Sequence, residues 1–277
     1  MRVEPRSPVN GSGKAFSKAE LEAYRVELEA LKAEYNLKEP DRSFMDDPGI
    51  KWRYGGTPDY TIANLAFLKG RSKAHPEGSL ELVVENLVKT WEMERTHKVD
   101  HTQHRTVDQD RFLISGNGGK TFNNEEANAV GNYDVLLSSC PKETWDSENS
   151  TWDHAHNTFH QAFSSFPWEV LEVFSGPPTV GFTWRHWAHF TGTFEENEGA
   201  GQLVEMYGFC VATVNDKLQL CDVKLYYNAK SFIDILRGVK DAQDVQGGTD
   251  IVGPLGGLKG GCPHLEALRM KPGGRKN

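Results

Sequence analysis

The last third of the chain alternates. Between Val180 and Phe190, the residues Val180, Phe182, Trp184, His186, Ala188 and Phe190 share one face of an extended strand, and Gly181, Thr183, Arg185, Trp187 and His189 share the other. A face so apolar has to be covered by a second layer. Trp168–Phe174 precedes this segment across Ser175 to Pro178, and Gln202–Val214 follows it, meeting Leu218–Tyr227 across a turn at Asn215 and Asp216. The cover lies upstream. Ser79 caps a helix in which Leu80, Val83, Val84, Leu87, Val88 and Trp91 recur at helical spacing over three turns. Four long antiparallel strands with helices gathered on one face make an α+β plan. A strongly curled sheet closed by such a helix leaves a cone with an apolar pocket inside.

Around this frame the chain divides into three stretches. Residues 1–49 form an N-terminal extension, Pro-, Gly- and Ser-rich at first, then helical from the capping box Ser17–Glu20 to about Tyr35. Residues 50–238 carry the cone. Within them the sequence predicts a short helix from Thr57-Pro58-Asp59 through Leu68, a hairpin at 111–122, a helix from Asn124, a helix at 151–164 and a last one at Ser231–Leu236. Residues 239–277 are a glycine-rich tail, whose Gly261-Cys262-Pro263-His264 reads as a strap docked at one end of the cone.

With a net charge of −8 and scattered Lys and Arg, the chain offers no basic field for nucleic acid or an anionic membrane. No run reaches 18 apolar residues, and the opening MRVEPRSPVNGSGK lacks the apolar stretch of a secretory leader. Four cysteines form no CxxC pair, which argues against a disulfide scaffold. The expected location is cytoplasmic.

Five of the ten histidines fall between His154 and His189. Imidazole moves protons near neutral pH and ligates metals. His186 is the lone ionisable group on the apolar face of its strand, which makes it the leading acid–base candidate. The strand 202–214 is apolar on both faces, so its inward side is open: Glu205 either partners His186 inside or pairs with a cation outside. Tyr227 ends an apolar face and either gives a phenol donor to a ligand or is a core residue. His156 and His160 are spaced i, i+4 on one helix face, but no HExxH glutamate lies between them. A metal site would need three of His97, His101, His104, His156, His160 and His189 to converge.

The segments LVKTWEME (87–94), KVD (98–100), AHNTF (155–159), FSGPPTV (174–180), RHW (185–187), VEMYG (204–208) and GCP (261–263) resemble the plant pathogen-related proteins and their fungal relatives. These belong to the SnoaL-like branch of the nuclear-transport-factor-2-like superfamily. The resemblance implies a cone-shaped sheet around a pocket, often dimerised through the outer sheet face, and chemistry without metal or organic cofactor. Enzymes on that fold include cyclases, dehydratases and isomerases; other members only bind ligands. Asp100 lies in the matched KVD and His156 in the matched AHNTF; Trp91, also matched, suits a pocket wall. The reading is therefore a small-molecule-binding cone acting as lyase, isomerase or cyclase on an apolar oxygenated metabolite. His186, Glu205 and Asp100 carry the proton transfer, and His156, Tyr227, Trp184 and Trp91 line the ligand. The alternative is a ligand-binding or defence-associated protein without turnover. The two part on whether His186 and a carboxylate line the same cavity; a backbone carbonyl as the sole partner counts against catalysis.

Overall fold

A computed structural model describes residues 16–242. Residues 1–15 and 243–277, and with them the Gly-Cys-Pro-His motif, lie outside the described residues.

Two helices begin where the sequence places their caps, while the one expected from Thr57-Pro58-Asp59 starts only at Thr61. Helix α1 (Lys18–Glu34) starts at a complete Ser17–Glu20 capping box, and α3 (Leu80–His97) starts with the Ser79 hydroxyl accepting from the Leu82 N–H. Between them lies α2 (Thr61–Gly70). Strands β1 (Leu113–Gly116) and β2 (Thr121–Asn123) form the predicted small hairpin. The helix expected from Asn124 is α4 (Asn124–Val130), and α5 (Asn132–Leu137) follows it after Gly131 at φ +97°. Helix α6 (Trp152–Ala162) follows, capped by Thr151. Then come β3 (Trp168–Val173), β4 (Thr179–Phe190), the small ribbon β5 (Thr193–Phe194) and β6 (Asn197–Glu198), β7 (Gln202–Val214), β8 (Leu220–Tyr227) and α7 (Ala229–Leu236).

The main sheet runs β2-β1-β8-β7-β4-β3. Its long strands pair antiparallel as expected, but β1 adds to β8 in parallel, with Ile114 opposite Val223. The early hairpin thus pairs the edge that β8 would otherwise leave open.

Register sets the two faces. Phe182, Trp184 and His186 lie opposite Cys210, Gly208 and Met206, and Tyr227 follows opposite Gly208, all on the side packed under the helices. Gly208 has to be glycine, because a Cβ there would sit 2.1 Å from the Trp184 ring. The second face carries Thr183, Arg185 and Trp187 with Phe209, Tyr207 and Glu205. It is not left bare: Trp187 meets Phe67 of α2, and Arg185 bonds Glu169, Glu205 and the Gly70 carbonyl at 2.6–3.0 Å. Helices therefore cover parts of both faces, not one.

The C-terminal turn of α3 is fixed by a buried ion pair. Lys98 and Glu94 have side chains 0% exposed and meet at 2.6 Å. Lys98 Nζ also donates to the carbonyls of Phe44 and Gln103, and Glu94 accepts from the Arg105 and Thr106 N–H groups and the Thr106 hydroxyl. Thr106 in turn accepts from the Leu220 N–H, tying α3 to β8. Every polar atom of the pair is answered, which such burial demands. Lys98→Met should strand the Glu94 carboxylate and cost about 3–5 kcal/mol. Urea unfolding measures this; a loss below about 1 kcal/mol would show that the pair is dispensable.

Candidate functional site

The residues singled out from sequence do not assemble into one site. His186 faces the interior as expected, yet its Nδ1 is 3.1 Å from the Pro167 carbonyl, and the ring stacks on Phe166 at 4.3 Å. Burial brings it down to about 4, so it is neutral at physiological pH. Glu205 corrects the proposed dyad: it lies opposite Trp187 on the other face and bonds Arg185 at 2.6 Å and the Tyr207 hydroxyl at 3.2 Å. A one-residue offset in register decides this, because neighbours along a strand point to opposite sides.

Asp100 does not reach the interior either. It caps the 3-10 turn His101–Gln103, accepts from the Thr102 hydroxyl and N–H, and pairs with exposed Lys51. The Thr102 hydroxyl and Lys51 hold its carboxyl at about 2. Tyr227 is core: its hydroxyl donates to the Leu136 carbonyl at 2.7 Å, which leaves no O–H for a ligand. Trp184 is 2% exposed against Gly208, and Trp91 is 9% exposed beside Phe112. The indole N–H groups of both tryptophans find no acceptor among the described residues. His156 stacks beside Trp152 at 4.4 Å and Tyr54 at 5.5 Å, and its centroid is 3.9 Å from that of His160. No third ligand joins those two histidines into a metal-holding group among the described residues.

What the structure brings together instead surrounds Glu92, on the fourth turn of α3. Its side chain is solvent-accessible, yet loss of hydration raises its pKa. An accessible carboxylate with a raised pKa is one whose flanking side chains crowd out part of its hydration. The Thr96 hydroxyl donates to Glu92 Oε1 at 2.8 Å, and Asn132 Nδ2 supports that hydroxyl at 2.9 Å. The Tyr60 phenol is the other group of this region that is coupled to the same carboxylate. Burial, then the Glu92 charge, raises the Tyr60 phenol well above its ordinary value, so it remains a donor.

Aromatic and imidazole rings complete the wall. Tyr133 of α5 is stacked on Phe159 at 4.2 Å, meets His160 edge-on and senses the Glu92 charge. His97 meets Tyr54 and Tyr60 edge-on, and burial, with His160 and Arg53 nearby, brings it to about 4. Arg53 lies over Trp152 at 4.3 Å. The site is thus a carboxylate held by hydroxyls and ringed by neutral aromatics. A surface groove between α1 and α2, lined by Arg25, Leu28, Lys32 and Tyr60, is open and spanned by the Arg25–Asp59 ion pair, and carries no comparable chemistry.

Sequence reading passed over Glu92, although it sits in the LVKTWEME segment. Helical spacing contained the signal: Val84, Val88 and Glu92 are i, i+4, i+8, which puts a carboxylate on the apolar face of the strongest helix. Tyr60 and Tyr133 had no such signal, since the loop and short helix that carry them have no period to extrapolate.

No family model matches the chain. Among solved structures, it is similar to a SnoaL-like polyketide cyclase from a Jannaschia species, at 11% identity and a TM-score of 0.34, covering 60% of this chain and 97% of that one. A protein of ketosteroid isomerase-like fold from Catenulispora acidiphila, in complex with trimethylamine, is similar at 10% identity and a TM-score of 0.32, covering 55% and 92%. These likenesses have no bearing on chemistry. The sequence comparison reaches further. A pathogen-related protein from Hordeum vulgare is 36% identical over 201 residues, which span 69% of this chain and 86% of that protein. The chain belongs to the pathogen-related protein family.

Proposed function

We propose that this chain binds an apolar, oxygenated small molecule in the hollow beside Glu92 and moves a proton on it without a cofactor. The observation that carries this reading is an accessible carboxylate that Thr96 and, behind it, Asn132 hold in place, in surroundings that raise its pKa. Such a group is a stronger base than a fully hydrated one. Ionised Glu92 takes a proton from a carbon next to a carbonyl. Tyr60, kept protonated, offers a donor to oxygen, and Thr96 orients the carboxylate. Neutral His97 serves as wall and polar contact. The reaction class is isomerase, lyase or cyclase chemistry, in which an enolate forms and then collapses.

Solvent exchange tests this without knowledge of the natural substrate. The ketone 2-tetralone is apolar and aromatic and carries acidic C–H groups beside its carbonyl. In D2O the protein should accelerate deuterium uptake at C1, read by NMR, and Glu92→Gln should reduce the rate to the uncatalysed background. Binding without exchange would contradict the proton-transfer reading and leave a ligand carrier.

The pH profile has a definite sign. The active form of Glu92 is the base, so exchange should be flat near neutrality and fall as pH drops through a midpoint above the ordinary glutamate value of about 4.3. A midpoint at or below that value would exclude Glu92. Desolvation also makes ionised Glu92 a burden on the fold: a raised carboxylate pKa takes away stability as pH rises from the unfolded value to the folded one. Glu92→Gln should therefore leave Tm at pH 7 unchanged or higher, as for a group kept for chemistry.

A further inference from the structure

One turn beyond Glu92, α3 buries a cation with no anion. Arg95 is 4% exposed, and among the described residues it makes no ion pair. Its Nη2 donates to the Ala127 carbonyl at 3.0 Å, its Nε finds no acceptor, and the guanidinium lies 5.1 Å from the Trp91 ring. The Trp91 indole N–H is also without an acceptor. The Glu92 charge is felt at Arg95 without reaching ion-pair distance. Lys98, buried on the same helix, is by contrast answered by a carboxylate and two carbonyls. A buried charge left unpaired is costly, and a guanidinium is the side chain best shaped to receive a carboxylate.

We infer that Arg95 is the anion-recognition residue of this hollow and that its ligand is an apolar carboxylate. The inference rests on the reading of Glu92 as the wall of a ligand site and deepens it by naming the substrate class. Spacing supports the pairing. Residues i and i+3 stand on neighbouring positions of one helix face, and the Glu92 charge is felt at Arg95, so an anion held by Arg95 lies on the side of α3 that carries Glu92. The anion meets N–H groups that lack acceptors, while the Trp91 ring shields the contact from water.

A matched pair of probes tests this by calorimetry at pH 7.5: 2-naphthoate and its neutral counterpart 2-naphthylmethanol. The wild-type chain should bind the acid about tenfold to a hundredfold more tightly than the alcohol. Arg95→Met should abolish that preference, leave alcohol binding within about twofold, and not lower Tm, since it removes an unpaired buried charge. Equal affinity of the wild-type chain for acid and alcohol would overturn the inference while leaving the hollow as a ligand site. So would a preference that survives in Arg95→Met. Failure of both probes to bind would overturn the ligand-site reading together with the inference. If Arg95→Met does not fold, the wild-type ratio decides alone.

Discussion

Two carboxylates, two residues apart on one helix, divide the work of this molecule. Glu94 is wholly buried and answered by Lys98, two backbone N–H groups and a hydroxyl, and this knot joins the end of α3 to the turn before β1 and to β8. Glu92 points elsewhere, because residues two apart on a helix are separated by about 200°. It stays accessible and meets hydroxyls but no cation at ion-pair distance among the described residues. The first carboxylate fixes where α3 stands, and so fixes where the second one opens. If α3 shifted by a turn, Glu92, Arg95 and Thr96 would all leave the hollow.

The sheet imposes the second constraint. Each strand alternates, so register alone assigns His186 to the interior and Glu205 to the outer face with Arg185. The alternation from Val180 to Phe190 was readable from sequence, and so was the inward direction of His186. Strand β7 is apolar on both faces, and nothing in its composition says which way Glu205 points. That direction comes from its pairing with β4, a non-local fact. The outer face then proves to be covered in part by α2, which explains why Arg185 and Trp187 are buried there.

Elements with strong local signals were legible: the capped helices α1 and α3, the hairpin of β1 and β2, and the long strands. The parallel pairing of β1 with β8 was not, because it joins segments about a hundred residues apart in sequence. Nor was α5, a helix of 6 residues too short to show a period. Candidate residues fared less well than the fold. His186, Asp100 and Tyr227 have titratable or donor groups, but a carbonyl, a turn and another carbonyl occupy them. The residue left accessible and desolvated, Glu92, looks in sequence like any surface glutamate. Only its place one turn past Val88 distinguishes it.

The central claim is that the surroundings of Glu92 make this accessible carboxylate a stronger base than an ordinary glutamate. The most direct measurement is the NMR titration of its side-chain carboxyl carbon in selectively 13C-labelled protein, assigned by loss of the signal in Glu92→Gln. The structure predicts a single midpoint above the ordinary glutamate value of about 4.3 that moves when a ligand enters the hollow. A midpoint at or below that value, unmoved by ligand, would mean that Glu92 is an ordinary hydrated surface carboxylate.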